Sequence, residues 1–93
     1  LYFEGVDKLY YKSGQLWEEF NYRNGLVHGT VRKYFESGQL KIEAHFKDDK
    51  FDGPFKEFYE NGMLKTEYFY SNNMLTKERL YDRSGKLIFS GDY

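Results

Sequence analysis

At 93 residues the chain has the length of one domain, because a second would have to build its core from very few side chains. Fourteen Lys and Arg against 15 Asp and Glu leave a formal charge of -1, which excludes the broad positive field that holds phosphate backbones. Without cysteine there are no disulfide staples, no thiolate metal sites and no cysteine nucleophile. Aromatics reach 22%, with ten Tyr and nine Phe against a single Pro, so strand formers dominate. No apolar run approaches the ~20 residues of a bilayer span, and no basic start leads into an apolar stretch. The expectation is a soluble chain, cytoplasmic or, after removal of a signal peptide, exported.

In chain order, "LYFEG" comes first and has two readings. It resembles the remnant of an engineered cleavage site, with Glu4 where such sites carry Gln. It also falls in phase with "KFDG", placing Phe3 over Phe51 and Gly5 over Gly53, so that 1–4 would close a preceding unit. From Gly5 the chain divides into units 5–28, 29–52 and 53–76, each of 24 residues, and a truncated unit 77–93. Gly14, Gly38 and Gly62 keep that step, and Gly85 follows after 23. Leu16, Leu40, Leu64 and Leu87 recur likewise, as do Glu19, Glu43 and Glu67.

Each unit holds two aromatic-rich runs joined at Ser13-Gly14, Ser37-Gly38, Asn61-Gly62 or Ser84-Gly85. Such pairs suit two-residue turns that need positive φ. The second joints, "RNGLVHG", "KDDKFDG" and "SNNMLTK", are expected to be longer polar turns. No stretch keeps a 3.6-residue period without a turn signal inside it. The fold expected is all-β: a single elongated, curved antiparallel meander of about eight strands, built from four tandem hairpins. With Ser13-Gly14 at the turn, Lys8 faces Glu19; the same rule sets Arg32 against Glu43 and Lys56 against Glu67, while Arg79 faces Ser90.

Alternation then sorts two faces. One collects Tyr11, Leu16, Phe20 and Tyr22 and their equivalents Phe35, Leu40 and Phe46, with Val31, Ile42, Phe55, Tyr59, Leu64, Tyr68 and Tyr70. The other carries the charge pairs together with Tyr10 and Trp17, Tyr34 and Lys41, Phe58 and Lys65, and Tyr81 and Ile88. A sheet with rings on both sides and no helix to cover it must curl, stack on another copy or meet a partner.

The residues carry no constellation for catalysis. Equivalent glutamates sit two strands apart, about 9 to 10 Å, in a row in which each faces a base. His28 and His45 occupy different repeat phases, which does not make a two-histidine metal site. Ser13, Ser37 and Ser84 precede turn glycines with no recurring His beside them. "KDDKFDG" lacks the alternate-position spacing of a calcium loop. No catalytic residue, cofactor, metal or small-molecule substrate is expected, and no nucleic acid. The cationic row Lys8, Arg32, Lys56 and Arg79 is neutralised by glutamates in three of its four positions, which makes membrane lipid a poor partner.

The phrase aromatic-aromatic-x-[Ser/Asn]-Gly-x-Leu, followed by the recurring Glu and aromatic positions and the Gly that opens the next unit, resembles the variant MORN repeat of bacterial proteins. The resemblance covers 5–93. Lys77 stands where the fourth unit would open with Gly, and Ser90 where it would carry Glu. It implies a curved sheet of stacked hairpins acting as an interaction module or spacer. Some such proteins are linked to phospholipid membranes, and many bacterial ones carry a toxin–antitoxin antitoxin label. The resulting expectation is a non-enzymatic module that binds a protein partner, or a second copy of itself, as an antitoxin-like or scaffold protein. Its anchors would be Tyr10, Trp17, Tyr34, Phe58 and Tyr81, flanked by Arg32 and Lys56. The alternatives are a phospholipid-surface module and a structural spacer from a longer array.

Overall fold

The computed structural model describes residues 2–93. Its strands are β1 (Gly5–Tyr10), β2 (Leu16–Arg23), β3 (Leu26–Val27), β4 (Gly29–Tyr34), β5 (Leu40–Lys47), β6 (Lys50–Phe58), β7 (Leu64–Ser71), β8 (Met74–Tyr81) and β9 (Leu87–Asp92). All pair antiparallel in one sheet, each beside its predecessor, with β3 and β4 as one strand interrupted at His28. The expected eight-strand meander is therefore present with one strand broken. Its Cα extents of 46 × 36 × 11 Å are those of a single curved layer. Among the described residues no second layer covers either face, and the core is correspondingly small: Val31 at 3% exposure faces Ala44 at 2%, with Thr66 buried two strands away.

The turns differ from the sequence expectation in an informative way. At the Ser-Gly joints only the glycine has positive φ, 94° at Gly14 and 93° at Gly38. The Tyr11 N–H donates to the Gln15 carbonyl and the Gly14 N–H to the Tyr11 carbonyl, each at 2.9 Å, and the same pair of bonds recurs around Gly38, Gly62 and Gly85. Each is thus a three-residue loop, a type I turn closed by a left-handed glycine. The two-residue turns with both residues at positive φ lie in the second joints, at Asn24-Gly25, Asp48-Asp49 and Asn72-Asn73. Asn and Asp adopt that conformation at modest cost because their short side chains bond locally, so these turns do not require Gly-Gly.

One extra residue per hairpin follows from the three-residue loop. Leu9 pairs Glu18 but Tyr10 pairs Leu16, which leaves Trp17 as a bulge; Lys41, Lys65 and Ile88 are the equivalent extra residues. Beyond the bulge the expected register is found, with Lys8↔Glu19, Arg32↔Glu43, Lys56↔Glu67 and Arg79↔Ser90.

Neighbouring units are clamped at their turns. The Val27 N–H donates to Asp49 Oδ1 at 2.7 Å and the Asp49 N–H returns to the Val27 carbonyl at 2.9 Å. Phe51 and Asn73 repeat this exchange, at 2.9 and 2.7 Å. Two of the three aspartates of "KDDKFDG" are thereby committed to backbone donors, since Asp52 Oδ1 accepts from the Asn72 N–H.

In the fourth unit Asp82 replaces the ring found at Tyr11, Phe35 and Tyr59. Its carboxylate accepts from the Ser84 hydroxyl at 2.6 Å, the Lys86 N–H at 3.0 Å and the Ser84 N–H at 2.9 Å. Those bonds, the Ser84 hydroxyl first, hold it below its ordinary pKa. A carboxylate depressed in the folded state stabilises above its unfolded pKa and loses that contribution as pH falls through the folded value. Below about pH 4 the β8–β9 amides should therefore lose hydrogen-exchange protection before those of β4–β7. Asp82→Ala should remove this pH dependence.

Candidate functional site

The paired charges form one continuous row. Because Glu19 also pairs Arg32, Glu43 pairs Lys56 and Glu67 pairs Arg79, the register runs Lys8, Glu19, Arg32, Glu43, Lys56, Glu67, Arg79, Ser90 across the whole sheet. Signs alternate until Ser90. Arg32 sits between two acids, its Nε 3.0 Å from Glu43 Oε2 and its Nη1 3.7 Å from Glu19 Oε1, and Lys8 Nζ lies 3.8 Å from Glu19 Oε2. The hydrogen bond to Glu43 raises the Arg32 pKa, which fixes it as a cation at any accessible pH.

Tyr10, Tyr34, Phe58 and Tyr81 each lie two residues beyond a cation of this row, on the same face by alternation and just before the glycine-closed turn. Tyr10 is 57% exposed; Tyr34, Phe58, Tyr81, Arg32 and Lys56 are half-buried. Two of them are tied at the backbone to a ring of the preceding unit: the Tyr11 hydroxyl donates to the Tyr34 carbonyl at 2.6 Å, and the Tyr59 hydroxyl to the Tyr81 carbonyl at 2.7 Å.

Trp17 does not join this row. The bulge turns it toward Tyr11, with ring centroids 5.8 Å apart. The residues of the same phase behave alike, Lys41 lying over the Phe35 ring and Lys65 over the Tyr59 ring, both at 5.6 Å. Alternation alone had put Trp17, Lys41 and Lys65 opposite these rings; the extra residue brings them together. Arg83 adds a second cation at 5.0 Å from Tyr59, so a shallow groove near the hairpin tips is lined by Phe35, Tyr59 and three cations, with Glu57 and Glu60 beside them.

On the opposite face the rings pack on one another. Phe51 is the hub, 4.6 Å from Phe46, 4.8 Å from Tyr70 and 6.0 Å from Phe55, and Phe55 stacks on Tyr68 at 5.6 Å. Burial raises the Tyr68 pKa, with Glu78 and Glu57 adding to the effect. Phe51 was missed because "KDDKFDG" reads as a polar joint, although its phase with Phe3 was the available signal. Phe3 itself packs edge-on against Tyr22 at 5.2 Å. This face is not purely apolar either, since Lys33 Nζ lies 3.9 Å from Glu18 Oε2.

His28 and His45 stay apart in role. His28 Nδ1 lies 3.5 Å from Asp48 Oδ1 at the strand break, whereas His45 faces Thr30 within the sheet.

A single sheet in which the same bonds recur from hairpin to hairpin defines a tandem β-hairpin repeat module, with a repeat-based binding or structural role. The sequence profile of the MORN repeat variant matches residues 3–24, 27–48 and 51–72, and the chain belongs to that family, which is not known as enzymatic. No curated protein and no solved structure matches the chain.

Proposed function

We propose that this chain is a non-enzymatic module that binds a protein partner through the charged face, with Tyr10, Tyr34, Phe58 and Tyr81 as anchors and Arg32 and Lys56 beside them, while Trp17, turned onto Tyr11, falls outside the set. The observation that carries this reading is the contrast between the faces. The rings around Phe51 stack on one another and stabilise the sheet, whereas Tyr10, Tyr34, Phe58 and Tyr81 stand outside that cluster on the charged face, with the backbone of Tyr34 and of Tyr81 held by a tyrosine hydroxyl of the preceding unit. Rigid rings between ion pairs lose little entropy on contact and match the composition of interface centres. Alternating signs along the row favour a striped protein surface over a polyanion, which would meet a Glu after every cation.

The test is Tyr34→Ala combined with Phe58→Ala, followed by affinity capture from the native lysate. A partner held by the parent chain should be lost, with the β-sheet circular dichroism unchanged. Capture that survives the double substitution would overturn the reading. The identity of the captured protein then separates the finer roles: a toxin would make the chain antitoxin-like, and a structural assembly would make it a scaffold. Binding to anionic vesicles that falls steeply with salt would move the surface to lipid instead.

A further inference from the structure

We propose that the groove between the second, third and fourth hairpin tips binds an extended acidic peptide whose carboxylates stand three residues apart, one meeting Lys41 and the other Lys65. The groove lies off the charged row and shares only Phe58 with the anchors named for that face, so it does not rest on the role given to them.

The fold does not require cations there. The bulge position that carries Lys41 and Lys65 holds Trp17 in the first hairpin and Ile88 in the fourth, so the turn accepts an indole or an aliphatic chain equally. A third cation is held in place by backbone bonds. Asn61 Nδ2 donates to the Arg83 carbonyl at 3.0 Å and the Tyr59 hydroxyl to the Tyr81 carbonyl at 2.7 Å, which fixes the fourth tip against the third with the Arg83 guanidinium 5.0 Å from the Tyr59 ring centre. Lys65 Nζ approaches the same ring at 5.6 Å, so two like charges share one ring, and Lys41 Nζ lies 5.6 Å from the centre of Phe35. Among the described residues none of the three is in an ion pair, in contrast to Arg32 and Lys33. Asp82, next to Arg83 in sequence, spends its carboxylate on Ser84 and the Lys86 N–H. The complement this cluster lacks is an anion.

Spacing selects the form of that anion. Lys41 in β5 and Lys65 in β7 hold the same repeat position with β6 between them, which sets their backbones about 9 to 10 Å apart. A polyproline II segment has three residues per turn and rises about 3.1 Å per residue, so its side chains at i and i+3 leave one side about 9.3 Å apart. A β-strand returns to the same side at about 6.6 or 13 Å and misses one of the two lysines. The cavity measures about 410 Å³, room for a few side chains and a stretch of backbone and not for a folded surface. Its aromatic lining at Phe35 and Tyr59 is of the kind on which polyproline II ligands dock. Glu57 and Glu60, which also line it, repel the concentrated charge of a phosphate group. The same two carboxylates accept the N–H donors that a polyproline II backbone leaves unpaired.

The test compares two end-capped peptides of one composition, Glu-Pro-Pro-Glu and Glu-Pro-Glu-Pro, titrated into the chain with amide chemical shifts as the readout. Glu-Pro-Pro-Glu should bind more tightly and move the amides of Lys41, Lys65 and Arg83. Lys41→Gln or Lys65→Gln, both exposed side chains that the fold does not use, should each weaken it about 2- to 5-fold, and the two together about 4- to 25-fold. Lys41→Arg should keep the affinity, because the charge and not the lysine is what the carboxylate meets. Equal affinity for the two peptides, indifference to the lysines, or no shift at millimolar peptide would each overturn the proposal. So would inorganic phosphate displacing Glu-Pro-Pro-Glu at equal concentration, which would make the groove a phosphate site. Loss of lysate capture in the Tyr34 and Phe58 double variant concerns the charged face alone, since these peptides and the lysine variants do not probe it.

Discussion

Val31→Asp is expected to lower stability by about 3 to 5 kcal/mol, the largest effect of any single substitution considered for this sheet. Val31 and Ala44 face each other across β4 and β5 and are the buried apolar side chains of the described residues. A carboxylate there replaces an apolar group facing Ala44, and the Lys33 ammonium on the same face is already engaged by Glu18, so the new charge is desolvated without a free partner. Domains of this size are stable by about 5 to 15 kcal/mol, and each kcal/mol shifts Tm by about 4 to 8 °C. Thermal unfolding should therefore fall by tens of degrees or be lost. Burial raises the pKa of the new carboxyl in the folded state, so the penalty is full at neutral pH and eases as pH falls toward the unfolded value. Val31→Ala removes about two methylene equivalents and should cost about 1.5 kcal/mol. Ile88→Asp, on an edge bulge at 61% exposure, should change stability by about 0.5 kcal/mol or less. A Val31→Asp variant as stable as Ile88→Asp would show that the centre of the sheet is not its core.

So small a core is compatible with folding because each hairpin leans on the next. Tyr11 and Tyr59 bond to the carbonyls of Tyr34 and Tyr81, Asp49 and Asn73 clamp Val27 and Phe51, and the ring cluster around Phe51 joins three strands. Stability of this kind is a sum of unit and neighbour terms and falls toward the ends. The wholly exposed β1 and the largely exposed β9 are where it is lowest.

The repeat, the all-β class, the meander and the in-hairpin charge pairs were legible in the sequence because each rests on period and alternation, which survive translation into structure unchanged. The turns were not, for a local reason. Ser-Gly fits both a two-residue turn and the end of a three-residue loop, and the two differ by one residue. That residue is absorbed as a bulge at Trp17, Lys41, Lys65 and Ile88, so the register beyond it was right while the direction of Trp17 was not. The Asp48-Asp49 and Asn72-Asn73 turns carry no glycine to mark their positive φ. Phe51 was hidden by the charges around it. For the candidate site, the phase shared by Tyr10, Tyr34, Phe58 and Tyr81 was readable, but the packing of Trp17 and the lysines on Tyr11, Phe35 and Tyr59 needed the bulge.

Arg32→Glu tests whether the charged row contributes as a row. Among the described residues Arg32 is the one cation whose ion pairs to both neighbours are within 4.0 Å, 3.0 Å to Glu43 and 3.7 Å to Glu19. Its side chain is 39% exposed, so each pair contributes only about 0.2 to 1 kcal/mol after screening. Reversal removes two attractions and creates two repulsions, for a total cost of about 2 kcal/mol at low salt. Arg32→Gln, which only removes the attractions, should cost about half as much. The Debye length falls from about 10 Å at 0.1 M to 3 Å at 1 M salt, so most of the difference between the two variants should disappear in ~1 M NaCl. Adding Glu43→Lys to Arg32→Glu restores that opposite-charge contact but sets position 43 against Lys56, so the restored pair should show as a favourable coupling in urea unfolding when the double variant is compared with both single ones. Equal costs for Arg32→Glu and Arg32→Gln at low salt would mean that the row acts by packing of the Arg32 stem and not by charge. In that case the alternating signs serve solubility or recognition alone, and the strength of the sheet resides in its rings and turn clamps.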